Sequence, residues 1–171
     1  MDTPMNILDD PAPEAARALV GKVLVRRLPE GTVIRARITE TEAYFGESDT
    51  ACHASHGRTK RTEVLYHPAG TIYVYLCYGI HWMLNLVTGP ADDPQAVLIR
   101  GVEGVSGPGR VTKYLGIDKS LNDKTLGDEL SLEDDGFAPP VEATPRIGIG
   151  YASAEDQARQ WRFVAAEQRG Q

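Results

Sequence analysis

The stretch Thr32 to Phe45 (TVIRARITETEAYF) alternates in a way that fixes its geometry. Side chains two apart share a face of a strand, so Ile34, Ala36 and Ile38 form an apolar face, and Arg35, Arg37, Thr39 and Thr41 point the other way. Continuing the apolar register reaches Glu40, Glu42 and Tyr44, which puts two carboxylates on the core-facing side. The alternative is that the sheet ends near Thr39 and both acids are solvated. KVLVRRL, residues 22–28, precedes this run across Pro29-Glu30-Gly31, and the pair reads as a hairpin with a short turn. A second run, Thr71 to Val87, follows the turn signal Pro68-Ala69-Gly70. Ile72, Val74 and Leu76 face one way, and Tyr73, Tyr75 and Cys77 the other. Seventeen residues exceed the usual strand, and Gly79 interrupts them, so a hairpin tip is predicted near Tyr78 and Gly79 with a return strand from about His81. Tyr78 then stands at an apex, as a wedge or recognition residue unless it belongs to the core.

Helical signals are short. Asp10 before Pro11, the apolar residues Ala15, Ala16, Ala18, Leu19 and Val20, and Gly21 after them predict one helix capped by Asp10. RVTKYL, residues 110–115, before Gly116 predicts another, carrying Arg110 and Lys113. Pro145-Arg146 leads into Ile147-Gly148-Ile149-Gly150, read as a strand whose glycines permit close backbone approach. Ser153 and Asp156 form a capping box for a segment running toward Arg162, and the last residues are expected to fray. Neither a repeat nor a dividing linker is visible, so residues 1–171 read as one domain.

The composition, 42% hydrophobic and 25% charged over 171 residues, excludes wholesale disorder. No apolar run approaches the roughly 18 residues of a spanning helix, and the amino-terminal region lacks a basic-then-apolar signal pattern. A soluble cytoplasmic protein without membrane contact is the expectation. Cys52 and Cys77 fit neither a disulfide framework nor a paired zinc motif. A net charge of −6 argues against a polyanionic partner if it is evenly spread. It is not: the acidic segment 128–141 holds five acids and no base, whereas 100–127 carries Arg100, Arg110, Lys113, Lys119 and Lys124, and Arg58, Lys60 and Arg61 cluster. Either a local basic face or an ordinary solvated surface follows.

Chemistry-bearing side chains concentrate between Glu40 and Arg61: Glu40, Glu42, Tyr44, His53, His56, Arg58, Lys60 and Arg61. A metal site built on Cys52, His53 and His56 lacks a second matching cluster. A Cys–His nucleophilic pair needs proximity that a sequence cannot display, and a metal-free phosphate-ester hydrolase is weaker still. A nucleobase reading uses more residue types at once. An enzyme acting on a base in duplex DNA must extrude it, fill the gap, stack the base between aromatic rings and read its edge. Hydrolysing the N-glycosidic bond then needs a carboxylate to deprotonate water beside an oxocarbenium-like sugar, a task Glu42 could perform. The rival is a catalytically silent binding module with the same aromatic pocket.

ITETEAYFG (Ile38 to Gly46), His53, AGTIYVYLCYG (Ala69 to Gly79), Asn85 and AVLIRGVE (Ala96 to Glu103) resemble the alkyladenine DNA glycosylase family, also called 3-methyladenine DNA glycosylases. The resemblance runs in order from LVRRLPEGT (Leu24 to Thr32) through GPGRVTKYLGIDKSLN (Gly107 to Asn122) to PRIGIG (Pro145 to Gly150). It implies a single compact α+β domain with a curved antiparallel sheet, flanking short helices and a protruding hairpin that enters the DNA minor groove. By the family's pattern Tyr78 fills the gap left by the extruded nucleotide, Tyr44 and Tyr75 sandwich the base, and His53 lines the pocket. Glu42 matches the general base, Arg100 the arginine holding the attacking water, and Asn85 the pocket asparagine that disfavours normal guanine. A backbone carbonyl of Gly148-Ile149-Gly150 is expected on that water. A guanidinium near Glu42 favours its ionised form. Glu40 receives no role beyond a structural ion pair. Arg58, Lys60, Arg61, Arg110 and Lys113 are the expected phosphate contacts.

The implied activity is monofunctional: a damaged purine is removed from double-stranded DNA by a Glu42-activated water, leaving an abasic site for base excision repair. It requires neither metal nor cofactor, and the protein acts as a monomer. Alkylated purines are the implied substrates, with deaminated and etheno purines left open. His81, Trp82 and the acidic segment depart from better-known members.

Overall fold

A computed structural model describes residues 5–166 of the chain. Among them, nine antiparallel strands form a curled, half-barrel sheet accompanied by three short α-helices. In chain order these are α1 (Ala12–Leu19), β1 (Val23–Arg27), β2 (Val33–Phe45), β3 (Ile72–Cys77), β4 (His81–Val87), β5 (Gln95–Val102), β6 (Val105–Ser106), α2 (Pro108–Leu115), β7 (Leu130–Glu133), β8 (Val141–Thr144), α3 (Ala154–Ala158) and β9 (Arg162–Ala165). The main path runs β3-β4-β5-β2-β1-β7, with β6 on β5 and β9 between β2 and β8. No described helix is long and apolar enough to cross a membrane.

Both predicted hairpins form: Val23 to Arg27 pairs with Arg37 to Val33, and Ile72 to Cys77 pairs with Leu86 to His81. One face of the sheet carries the main core. Ile72, Val74, Leu84, Leu86, Val97 and Ile99 meet Ala12, Ala15, Ala16 and Leu19 of α1 and Val111 and Leu115 of α2. Positions i, i+3, i+4 and i+7 of α1 are the apolar stripe of a helix lying on a sheet. Burying each large aliphatic chain there is worth about 1.5–3 kcal/mol.

Asp10 does not cap α1. Pro11 occupies the cap position without a side-chain bond, and the free amide of Ala12 donates to Gln95 Oε1 at 2.7 Å. A side chain from β5 thus supplies the acceptor that the local sequence was expected to provide. Arg26, buried, donates to the Leu115 and Gly116 carbonyls at 3.0 and 2.9 Å. A cation at the carboxyl end of α2 suits its dipole, and it leaves the opposite end, Pro108 to Arg110, facing the cleft described below.

The decisive irregularity lies in β2. Its first half pairs with β1, and from Glu40 onward β9 takes that edge. At the changeover the ladder with β5 slips between Ile38 and Glu40 and again between Glu40 and Thr41. Thr39 and Glu40 both crowd Gly101, where a Cβ would lie 3.1 Å from Thr39 Oγ1 and 3.3 Å from Glu40 Cβ. Two residues opposite one is a β-bulge, and a slip of one position exchanges the faces. Beyond it Ala43 joins the core and Thr41 Oγ1 donates to Ala16 O at 2.8 Å. Glu40, Glu42 and Tyr44 therefore do not continue the register of Ile38; they turn to the opposite side of the sheet.

Ile147-Gly148-Ile149-Gly150 is not a strand. The segment is a bent loop, because Arg146 is buried and the Ile147 amide bonds to a side chain instead of a neighbouring strand. The Ser153 box forms, with Ser153 Oγ accepting from the Asp156 amide at 3.1 Å, yet α3 ends at Ala158 and Arg162 opens β9. The last five residues, expected to fray, lie outside the described residues.

Candidate active site

Four adjacent strands bring sequence-distant side chains to the face opposite the core: Tyr73 and Tyr75 from β3, Asn85 from β4, Leu98 and Arg100 from β5, and Glu42 and Tyr44 from β2. Above them sit the His53–His56 turn and the 145–151 loop. Tyr44, His53, Tyr75 and Arg100 border one open cavity of about 760 Å³, together with Arg61 and Arg110. This volume lies within the range of small-molecule sites. A niche of about 30 Å³, room for a single water, continues inward between Tyr44, His53, Tyr75 and Asn85.

Glu42 sits one layer deeper, 0% exposed. Its Oε1 accepts from the Tyr44 hydroxyl at 2.7 Å and its Oε2 from the Ile147 amide at 2.7 Å, while Arg100 Nη1 stands 3.8 Å from Oε1. Burial raises the Glu42 pKa, and Arg100, the Ile147 amide, the Tyr44 hydroxyl and Arg146 pull it back without cancelling that rise. Arg100 is itself held, since its Nε donates to Glu40 Oε2 at 3.2 Å, and the same oxygen accepts from Arg162 Nε. Glu40 is thus an ion-pair hub that orients Arg100.

The aromatic wall is compact. His53 meets Tyr75 edge-on with ring centroids 4.5 Å apart, and its Nδ1 lies 2.9 Å from the Tyr73 hydroxyl. Burial, with help from Arg61 and His56, lowers the His53 pKa to about 4, so the ring is neutral at pH 7 and offers one donor and one acceptor. At the cavity mouth Tyr78 occupies the β3–β4 tip with 88% of its surface exposed, beside exposed Leu76 and Ile80.

The sequence profile of the family described as methylpurine-DNA glycosylase (MPG) matches residues 6–169. A protein of Psychrobacter cryohalolentis, provisionally named 3-methyladenine DNA glycosylase, is 46% identical over 177 aligned positions, covering 85% of this chain and 82% of the relative. One of Methanocella arvoryzae with the same name is 43% identical, covering 94% of this chain and 90% of the relative. A Borrelia garinii subsp. bavariensis protein, again of that name, is 41% identical with 89% of each chain covered. The chain belongs to the methylpurine-DNA glycosylase family. It is accordingly a hydrolase of N-glycosyl bonds.

The expected phosphate contacts of this family member stand in different surroundings. Arg61 and Arg110 border the cavity, and Lys60 and Lys113 are exposed. Arg58 is engaged: Glu63 takes two hydrogen bonds at 2.8 Å, Asp92 one at 2.9 Å, and the guanidinium stacks on Tyr66. His56 and His81 also border the cavity, the latter against Gly109, where an added Cβ would approach its Nδ1 to 2.7 Å. Among the described residues no three of His, Cys, Asp and Glu converge as metal ligands.

Two features escaped the sequence reading. Tyr151 borders both cavities and donates from its hydroxyl to Ala51 O at 2.8 Å. Its signal was an aromatic directly after the glycine-flanked stretch. Arg146 and Asp49 form a buried ion pair behind Tyr44. No periodicity marks a pair 97 positions apart.

Proposed function

We propose that the protein is a monofunctional DNA glycosylase that acts as a monomer on double-stranded DNA, everting an alkylated purine into the aromatic cleft and hydrolysing its bond to the sugar with a Glu42-activated water. The observation that carries this reading is a carboxylate removed from solvent, held by an amide and a phenol and faced by Arg100, directly behind an aromatic-lined cavity with an exposed tyrosine at its mouth. Tyr44, His53 and Tyr75 supply the walls for the base, with Asn85 in the niche reading its edge. Tyr78 takes the vacated place in the duplex, offsetting part of the unstacking cost.

Two hydrogen bonds occupy half of the carboxylate's acceptor sites, leaving a lone pair on each oxygen for water. The water oxygen bonds to C1′ as the C1′–N bond breaks; its proton passes to Glu42 and the bonding electrons leave with the base. A cationic 3- or 7-alkylpurine departs neutral and needs no proton. Cation–π contact with the cleft's rings favours that cation over a normal base by about 0.5–2 kcal/mol. Hypoxanthine and ethenoadenine are neutral leaving groups and demand a proton donor as well.

Duplexes bearing a single 7-methylguanine, hypoxanthine or ethenoadenine, incubated with the protein and then cleaved by alkali, test the proposal. Release of 7-methylguanine is expected, with Glu42→Gln still binding DNA but losing about 10²–10⁴-fold in rate. Binding without release would make the protein a recognition module. A borohydride-trapped adduct would replace the water with an amine nucleophile.

A further inference from the structure

The loop that supplies the Ile147 amide is secured by one buried side chain. Arg146 and Asp49, 0% and 1% exposed, form a two-pronged ion pair: Nη1 to Oδ2 at 2.7 Å and Nη2 to Oδ1 at 3.0 Å. Nη1 also donates to Ala43 O at 2.9 Å and Nη2 to Asp156 O at 3.1 Å. The guanidinium lies 5.0 Å from the Tyr44 ring centre and 5.1 Å from that of Trp161. Asp49 in turn accepts from the Phe45 and Ala51 amides at 2.9 and 3.1 Å, fixing the turn after β2.

Buried ion pairs contribute little net stability, because desolvation offsets the attraction. The position of this one is more informative. Ala43, whose carbonyl Arg146 holds, lies between Glu42 and Tyr44, and the residue after Arg146 places its N–H on Glu42 Oε2. We infer that Asp49 and Arg146 are positioning residues for base excision, keeping the Ile147 amide on Glu42 so that the carboxylate is ionised and aimed when DNA binds. The inference rests on the reading of Glu42 as the group that activates water.

The charged and titratable groups around Glu42 come from every neighbouring element: the Tyr44 hydroxyl from β2, Arg100 from β5 with Glu40 behind it, Arg162 opposite on β9, Tyr75 from β3, and Arg146 and Tyr151 from the loop region. Breaking the pair withdraws the amide and displaces the Arg146 charge while leaving Arg100 and the Tyr44 hydroxyl in place. The proton affinity of Glu42 then rises.

Single-turnover release of 7-methylguanine, followed against pH for the wild type, Asp49→Asn, Arg146→Met and Arg146→Lys, provides the test. The rate falls on the acid side as Glu42 protonates. In Asp49→Asn and Arg146→Met that limb is expected to move up by about one pH unit, with the high-pH plateau reduced less than tenfold and affinity for a duplex with an abasic-site analogue unchanged. Arg146→Lys keeps the charge but cannot hold Asp49 and Ala43 together, so its limb falls between these and the wild type. Asp49→Asn is nearly isosteric but turns an amino group toward one of the guanidinium nitrogens, so it breaks the two-pronged pair without emptying the site and keeps the test open if the Arg146 variants unfold. A rate that drops equally at every pH, variants indistinguishable from wild type, or unfolding of all three would overturn the inference by confining the pair to stability. A wild type that releases no base would instead overturn the reading of Glu42 itself.

Discussion

Glu42 is shut off from bulk solvent, and the groups around it offset the cost of ionising it only in part. Its pKa is raised, so the native state binds the proton more tightly than the unfolded chain does. Stability is therefore lost as pH rises from the ordinary glutamate value of 4.5 through the folded value. Glu42→Gln removes that dependence. It also leaves the Tyr44 hydroxyl and the Ile147 amide competing for one carbonyl oxygen, which costs about 1–3 kcal/mol whatever the pH. The expected outcome is a melting-temperature difference, variant minus wild type, that shifts in the variant's favour from pH 4 to pH 7. A pH-independent difference would show that Glu42 is not held against its own charge.

The β3–β4 hairpin shows what an element can be made to tolerate. Its turn places Tyr78 at φ 53° and Gly79 at φ 67°, closed by the Ile80 amide on Cys77 O at 3.1 Å. Glycine takes this left-handed conformation freely, whereas tyrosine meets a steric cost of roughly 1–2 kcal/mol. With little of its surface buried, Tyr78 recovers almost none of that from packing. Tyr78→Asn, which tolerates the conformation, should raise unfolding stability by up to about 1 kcal/mol in urea titrations. The same variant should release 7-methylguanine from a duplex more slowly. Loss of both stability and rate would contradict this account.

This hairpin was legible in the sequence because β3 and β4 alternate without interruption and Gly79 divides them. The second half of β2 was only partly legible. Periodicity assigns a face as long as the ladder is continuous, and here the ladder slips where β9, more than a hundred positions away, displaces β1. The start of α1 failed for a related reason, since its acceptor, Gln95, is 83 positions distant. Ile147-Gly148-Ile149-Gly150 imitates a strand, and nothing local reveals that Arg146 is drawn inward. Strands β7, β8 and β9, four residues each, are too short to show a period. At the site, the residue types between Glu40 and Arg61 were readable, whereas Asp49 and Arg146 matter only through their meeting.

Across the whole molecule, charge is sorted by edge. The acidic segment lies largely on and beside β7, at the opposite end of the sheet path from β3, and is matched to local bases. Glu133 pairs with Arg35 at 2.6 Å, Asp135 with Arg37 at 2.6 Å, Asp134 with Lys22 at 3.7 Å and Glu129 with Lys124 at 2.7 Å. The net charge of −6 therefore understates the positive character of the cleft, where Arg61 and Arg110 stand at the rim. Each phosphate contact contributes about 0.9 to the slope of log affinity against log salt. Arg61→Ala and Arg110→Ala are each expected to lower that slope by about 1 in anisotropy titrations with duplex DNA, and Arg58→Ala, already bound to two acids, by much less. Equal effects at all three positions would mean that Glu63 and Asp92 release Arg58 to DNA.

The slip at Thr39 and Glu40 supplies one surplus position, which is why Ile38 and Thr41, three apart, share the core side of the sheet. Were this part of β2 to straighten at its present length, plain alternation would rotate everything downstream by half a turn. Thr41 and Ala43 would swing toward the cleft, while a carboxylate and a phenol would be driven into hydrocarbon beside Ala16. A single lost codon between Ile38 and Thr41 would instead remove the surplus position itself, and Glu42 would keep its side of the sheet.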